Sequence, residues 1–198
     1  ADAAGISYGK KEAKMGWNAQ PTRLVTFEDV RIPAKNLLGS EGEGFKFAMM
    51  GLDGGRINIA VCSVGTAQAA LNTAKAYMQE RTQFGKPLAA FQALQFKLAD
   101  MATELVAARQ MVRLAASKVD NNDADKTTYC AMAKQFATDV GFKVCNEALQ
   151  LHGGGANFRN TLRDLAMPLS KTGIFCIRNI FYPFHTRIRR YDICDAVF

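Results

Sequence analysis

Three long stripes of residues with helical spacing constrain the fold more than any other feature of this 198-residue chain. Each stripe recurs every three or four positions, which is the repeat of one face of an α-helix. All members are apolar except Arg56. The first stripe comprises Met49, Leu52, Arg56, Ala60, Val64, Ala67, Leu71, Ala74 and Met78; the second, Leu88, Phe91, Leu94, Leu98, Met101, Leu105, Ala108, Val112, Ala115 and Val119; the third, Tyr129, Ala133, Phe136, Val140, Val144, Ala148 and Leu151. Three helices of about 30 residues with short loops predict an antiparallel helical bundle, with apolar surface left for a fourth helix or another subunit.

The segments around the stripes divide the chain into three parts. Residues 17–33 are rich in β-branched and aromatic residues and predict one or two strands. Ser40 followed by Glu43 has the spacing of a capping box, which predicts Ser40 as the N-cap of the first helix. We therefore expect a mostly α chain, with a short β segment at 1–38, a helical bundle at 39–154 and an atypical tail at 155–198.

Composition narrows the class of protein only slightly. The net charge of +7 suits an acidic partner but is weak evidence by itself. The five cysteines include no C-x-x-C pair, which favours free thiols over disulfides or a metal site. No apolar run is long enough to span a bilayer. The short basic "TRIRR" leaves a basic binding module open, although we expect neither nucleic acid nor membrane as a partner.

Arg56 is the first candidate site residue, because it occupies a core position of the first stripe. A buried guanidinium is costly unless it is paired. It either meets a structural carboxylate or faces a polar ligand. Asp53 and the adjacent Gly54 and Gly55 favour a ligand, since two glycines inside a helix suggest a large group close to the backbone.

The loop between the first two stripes is the second candidate. Its Arg81 offers a planar fork suited to a phosphate, Phe84 can stack on a ring, and Gln92 starts the next helix. A plain surface loop with Arg and Gly near a helix end is the alternative.

"LQLHGGG" at 149–155 is the third candidate. Consecutive glycines at Gly153 and Gly154, one turn after Gln150, let a ligand approach main-chain N–H groups. A glycine helix terminus explains the same residues. No spacing of cysteine and histidine indicates a zinc site, so we expect no metal.

In this order, four motifs of the chain resemble the C-terminal half of the acyl-CoA dehydrogenase family. They are "TRLVTFEDVRIPAKNLLGSEGEGF", "LDGGRINIA", "ERTQFGKPLAAFQ" with "LQFKLADMA", and "ALQLHGG". The segments "GWNAQPTR" and "GGRINIAVCSVG" resemble the branch that acts on a short branched-chain acyl-CoA in valine catabolism. The resemblance implies that residues 1–38 are the end of a middle β-domain. It also implies that the chain corresponds to part of a longer protein.

The resemblance also implies the cofactor, the partners and the roles of the candidate residues. FAD and an acyl-CoA substrate are expected, with an electron-transfer flavoprotein as electron acceptor, a homotetrameric assembly and a mitochondrial matrix location. Asp53 and Arg56 are expected to line the acyl-CoA site. Seven residues are expected to contact FAD, and those in the loop are expected to contact the FAD of a neighbouring subunit. The seven are Arg81, Gln83, Phe84, Gln92, Gln150, Gly153 and Gly154.

The chain departs from the family at the catalytic base. Family members carry this glutamate in a short "EGT" stretch of the last helix, or on the first bundle helix at the position of Gly55. No glutamate occurs after Glu147, and "EGT" is absent. We therefore assign no catalytic residue. Two hypotheses follow: α,β-dehydrogenation of a short branched-chain acyl-CoA by a protein of which this chain is a part, or a non-catalytic helical module that associates with full-length subunits.

Overall fold

Three long helices dominate the computed structural model, which describes residues 3–14 and 20–154. Helix α1 spans Gly44–Glu80, α2 spans Gln92–Asp120 and α3 spans Lys126–Leu151. The chain reverses direction after α1 and again after α2, and α3 packs against both other helices. The predicted antiparallel bundle is confirmed, and each stripe falls on the helix expected for it, except that Leu88 and Phe91 of the second stripe precede α2.

A two-stranded antiparallel sheet precedes the bundle. Strand β1 (Ile6–Tyr8) pairs with β2 (Val25–Phe27), with Ile6 opposite Phe27 and Tyr8 opposite Val25. Strand β2 lies inside the predicted segment 17–33, although most of that segment is not a strand. The sequence did not indicate β1, because three residues are too few to show an alternating pattern. Trp17 and the predicted tail 155–198 lie outside the described residues.

The bundle core consists of small and medium-sized side chains. Met78, Leu105 and Val144 are among the largest fully buried residues, and much of the remaining core is alanine. The first stripe is buried from Arg56 to Met78, whereas Met49 is 40% exposed and Leu52 is only half-buried. Asp53 lies beside Thr127, the second residue of α3. The first nine residues of α1 therefore extend past α3, and no helix of the described residues covers them there.

The start of α1 corrects one sequence prediction. Glu43, rather than Ser40, is the N-cap residue. The carboxylate of Glu43 still accepts a hydrogen bond from the Ser40 N–H at 3.0 Å, as a capping box requires. Gly42 has a φ of +85°, which no helical residue adopts, so the chain turns there and the helix starts only at Gly44.

Helices α1 and α3 approach each other closely at their middle. A Cβ built on Gly141 of α3 would lie 3.2 Å from both the Cβ and the carbonyl oxygen of Ser63 of α1. Real Cβ atoms seldom make contacts this short, so glycine is needed here for space rather than for its backbone freedom. This contact fixes how α3 lies along α1.

A ring stack joins the same two helices near their C-terminal ends. The rings of Tyr77 and His152 are 4.4 Å apart between centroids and 26° from parallel. His152 is buried, and its Nδ1 lies 2.8 Å from the carbonyl oxygen of Ala148. With a proton on Nδ1, the ring caps one of the carbonyl groups that the end of α3 leaves without a helical partner.

We expect Gly141→Leu to destabilise the fold and Gly65→Leu to leave it intact. Overpacking a tight contact costs about 1–3 kcal/mol, more than the helix propensity that replacing glycine gains. Gly65 lies inside α1 with nothing within 4 Å of a built Cβ. Urea unfolding followed by circular dichroism measures both variants. An equal effect of the two substitutions would contradict the close approach at Gly141.

The Tyr77–His152 stack is expected to couple the two residues energetically. In a double-mutant cycle of Tyr77→Ala and His152→Ala, the coupling energy should be about 0.5–1.5 kcal/mol. Tyr129 lies near the other end of α3, so the cycle of Tyr129→Ala with His152→Ala should be additive and serves as the control. Urea unfolding of the single and double variants provides the four free energies for each cycle. Additivity in the Tyr77 cycle would show that the stack contributes nothing.

Candidate functional site

A small hairpin connects α1 to α2 and carries most of the predicted loop residues. Strand β3 (Thr82–Gln83) pairs with β4 (Lys86–Pro87). Phe84 (φ +53°) and Gly85 (φ +78°) form the two-residue turn, as in the type I′ turns that suit hairpins. A non-glycine residue in the left-handed region is strained, so the rest of the hairpin must hold Phe84 there.

The Phe84 side chain extends away from the bundle and is 92% exposed. Its only ring contact among the described residues is edge-on to Phe91, with centroids 6.3 Å apart. Lys86 Nζ lies 4.3 Å from the centroid of the Phe91 ring, a cation–π contact. An aromatic side chain in a strained backbone conformation, with one face open, is suited to contact a molecule outside this chain.

The seven residues predicted to contact a dinucleotide all lie at one end of the bundle. Because the helices alternate in direction, the C-termini of α1 and α3 meet the N-terminus of α2 at this end. We call it the hairpin end, comprising residues 81–92 and 150–154. All seven predicted residues are exposed there. The structure brings together Arg81, Gln83, Phe84, Gln92, Gln150, Gly153 and Gly154.

The hairpin end has groups that can bind an anion. Phe91 is the N-cap of α2, and its side chain cannot accept hydrogen bonds from the first N–H groups of the helix. The first turn of α2 contains no acidic residue. Arg81 makes no ion pair with any residue in the described part of the chain. A helix N-terminus and an arginine at the same end of the bundle favour binding of a phosphate group.

Asp53 and Arg56 form a second polar group, near the start of α3. Arg56 Nη1 donates to Asp53 Oδ1 at 2.7 Å, and both residues are about nine-tenths buried. Asp53 Oδ2 accepts a hydrogen bond from the Thr127 hydroxyl at 2.8 Å. Arg56 therefore has a structural carboxylate as its partner, one of the two interpretations that the sequence left open.

One atom of this group has no partner. Arg56 Nε is buried and makes no hydrogen bond within the described part of the chain. The thiol of Cys130 lies close by. Burial of this thiol is the main cause that raises its pKa, and the negative charge of Asp53 raises the pKa further. A Cβ built on Gly54 or Gly55 meets nothing within 4 Å, so no described residue of this chain is the large group expected beside these glycines.

The two groups of candidate residues are far apart. Asp53 and Arg81 are separated by 28 residues of sequence along α1, which at 1.5 Å per residue is about 42 Å. A single small molecule cannot contact both groups of one chain. The structure therefore contains two separate candidate sites, one at each end of the bundle.

Sequence reasoning missed Thr127 and Phe91 as members of these sites. Thr127 lies three residues before Cys130 and seven before Lys134, so the three share one helical face, and the latter two are buried. This repeat was the available signal for Thr127. The sequence places Phe91 only in the second stripe, and no local pattern indicates that it packs against the hairpin.

The described residues show little sign of other kinds of site. They contain no group of three or more histidine, cysteine, aspartate or glutamate side chains able to hold a metal ion. No helix among them is both long enough and apolar enough to cross a membrane. Cys62, Cys130 and Cys145 are free thiols, and burial raises the pKa of Cys145 to about 12, so that thiol stays protonated at neutral pH.

Comparison with known proteins places these features in a family. Residues 42–169 match the family model described as the C-terminal domain of acyl-CoA dehydrogenase. This match continues past Gly154, where the motifs quoted above end. The mitochondrial isobutyryl-CoA dehydrogenase of Bos taurus is 55% identical over 150 residues, which cover 76% of this chain and 36% of the relative. The chain thus spans little more than a third of that protein.

Solved structures agree with the sequence match. Butyryl-CoA dehydrogenase from Megasphaera elsdenii is 42% identical with a TM-score of 0.76, covering 89% of this chain and 48% of that one. A structure described as the electron transferring flavoprotein of Acidaminococcus fermentans is 38% identical with a TM-score of 0.87, covering all of this chain and 50% of that one. A matching family model over more than half of the residues, together with these similarities, establishes that the chain belongs to the acyl-CoA dehydrogenase family.

Proposed function

We propose that this chain contributes two partial sites to the flavin-dependent α,β-dehydrogenation of a short branched-chain acyl-CoA. The hairpin end would contact the FAD of a neighbouring subunit, and Asp53 with Arg56 would line the acyl-CoA site. One observation carries the proposal. All seven candidate dinucleotide contacts lie exposed at one end of the bundle, about 42 Å along α1 from Asp53. That separation fits a dinucleotide bound by a different subunit from the one that holds the thioester.

The residues of the hairpin end fit a flavin dinucleotide chemically. Arg81 and the N-terminus of α2 suit the pyrophosphate, the exposed Phe84 ring suits a planar ring system, and Gly153 and Gly154 leave the backbone open. When bound, FAD supplies the acceptor for the hydride that leaves the β-carbon of the thioester. The part of this chain is to hold the dinucleotide in place.

No residue of this chain is proposed as the base that removes the α-proton. Position 55 is glycine, and no glutamate follows Glu147. Both oxygens of Asp53 already accept hydrogen bonds, one from Arg56 and one from Thr127, so Asp53 is not proposed for this role. The proposed contribution of this chain is therefore binding and positioning, within an assembly in which other residues complete the reaction.

The finer assignments rest on the relatives. Similarity to isobutyryl-CoA dehydrogenases named as mitochondrial supports a short branched-chain substrate, valine catabolism and a matrix location. Similarity to the Acidaminococcus fermentans structure supports an electron-transfer flavoprotein as electron acceptor. The division into the end of a β-domain, a bundle at 39–154 and a tail at 155–198 is likewise part of the proposal.

A second apolar face on α2 favours association with other subunits. Phe96, Val106 and Leu114 are 60%, 50% and 47% exposed. At 100° per residue they fall within an arc of about 80° on the side of α2 opposite the core residues Met101, Leu105 and Val112. This face supports the homotetramer expected of the family. It equally supports the second candidate function, a non-catalytic module that pairs with full-length subunits.

The flavin contact is tested by adding FAD to the ¹⁵N-labelled full chain and following its amide resonances by NMR. We expect shifts confined to residues 81–92 and 150–154. Arg81→Ala should weaken FAD binding roughly tenfold or more, because a charge-assisted hydrogen bond contributes about 1.5–3 kcal/mol. The control is Arg113→Ala, which removes the same charge from an exposed position well along α2. Equal weakening by both variants, or shifts that fall outside residues 81–92 and 150–154, would contradict the proposal.

Association through α2 is tested by native mass spectrometry of the chain mixed with full-length Bos taurus isobutyryl-CoA dehydrogenase. We expect mixed oligomers that Phe96→Glu abolishes, because a buried unpaired carboxylate is strongly unfavourable. Phe45→Glu is the matched control, because Phe45 is also exposed but lies on α1. Separate species only, or loss of mixed oligomers in both variants, would exclude α2 as the associating face.

A further inference from the structure

Thr127 makes a contact that nothing in the proposed function explains. Its hydroxyl donates to Asp53 Oδ2 at 2.8 Å, while Arg56 Nη1 donates to Asp53 Oδ1 at 2.7 Å. The two oxygens of the Asp53 carboxylate therefore have different partners. Thr127 belongs to α3, whereas Asp53 and Arg56 both belong to α1. The hydroxyl thus links the ion pair to the neighbouring helix.

This arrangement determines what remains of the Arg56 guanidinium. A carboxylate beside an arginine commonly makes two parallel hydrogen bonds, with one oxygen on each of two nitrogens. Here the second oxygen accepts a hydrogen bond from Thr127, which fixes the orientation of the carboxylate, and the carboxylate contacts Arg56 through a single nitrogen. The Nε–H is left buried and without a partner in the described part of the chain.

An unpartnered N–H in this position requires an explanation. Leaving a buried donor unsatisfied is unfavourable, and folded proteins seldom do so without a function for the group. If the carboxylate turned to bind Nε as well, the chain would satisfy that donor by itself. The hydrogen bond from Thr127 opposes that rotation.

We propose that Thr127 is a positioning residue, whose hydroxyl holds the Asp53 carboxylate so that Arg56 Nε–H stays available to an acceptor atom of the acyl-CoA ligand. The inference rests on the proposed acyl-CoA site, because that site supplies the ligand. The inference adds a residue of α3 to a site whose other proposed residues, Asp53 and Arg56, belong to α1. Thr127 acts through Asp53 and is not itself a catalytic residue.

The direct test is the Arg56 Nε–H resonance of the full chain in NMR, which needs no ligand. Thr127→Val keeps the shape of the side chain and removes the hydroxyl. We expect this variant to change the chemical shift of the Nε–H and to alter its exchange with water, because the carboxylate can then turn toward Nε. Thr127→Ser should restore the values of the unmodified chain. Thr128→Val, the same substitution one residue along α3, should change neither the chemical shift of the Arg56 Nε–H nor its exchange with water.

The ligand readout uses isobutyryl-CoA as the probe. In the unmodified chain its addition should shift the Nε–H resonance, and Thr127→Val should weaken binding about tenfold, the usual effect of losing one hydrogen bond to a charged group. Thr127→Ser should bind like the unmodified chain. Thermal unfolding of the variants shows whether each is folded, and a merely structural role would lower the unfolding temperature of Thr127→Val without changing the Nε–H resonance of the folded protein.

Three outcomes would overturn parts of this inference. An unchanged Nε–H resonance in Thr127→Val overturns the positioning role, whatever the ligand does. A changed resonance without a response to isobutyryl-CoA in any variant overturns the acyl-CoA site and, with it, the ligand assigned to Arg56. Equal effects of Thr127→Val and Thr128→Val overturn the positioning role as well, since they would reflect the start of α3 in general.

Discussion

The close packing of α1 against α3 is the contact on which both candidate sites depend. The facing surfaces are rich in alanine, and Gly141 leaves no room for a side chain opposite Ser63. Small residues allow two helices to approach closely, and a tight contact resists sliding along the helix axes. This single contact near the middle of the bundle therefore fixes the register of the two helices at both ends.

The register has a different consequence at each end. At one end it brings Thr127 beside Asp53, so that a buried ion pair on α1 gains a hydrogen bond from α3. At the other end it brings His152 onto Tyr77, so that the last turn of α3 is held next to the start of the hairpin. A shift of one helical turn, about 5.4 Å, would break both arrangements together. The packing of the core therefore determines the geometry of both candidate sites.

Both sites contain features that would be unfavourable in a chain acting alone. Phe84 is an exposed aromatic residue in the left-handed region, and Arg56 keeps a buried N–H that has no partner among residues 3–14 and 20–154. The second apolar face of α2 is also exposed to water. Strain and unsatisfied groups tend to occur at functional positions, where a ligand or another subunit compensates for them. Their concentration at the two ends and on one outer face is in line with the proposal that this chain works within an assembly.

The sequence by itself determined the three helices, the mostly α fold, the family and the residues worth examining, because helical periodicity and contiguous motifs are local patterns. It predicted Ser40 as an N-cap wrongly, since only the positive φ of Gly42 shows where the chain turns. It gave no sign of β1, which is too short for a pattern. Tertiary structure alone decided that Thr127 of α3 joins the Arg56–Asp53 pair of α1, and that Gln150, Gly153 and Gly154 lie at the same end of the bundle as the hairpin. These facts depend on the register between α1 and α3, a contact between residues some 75 positions apart that no local pattern encodes.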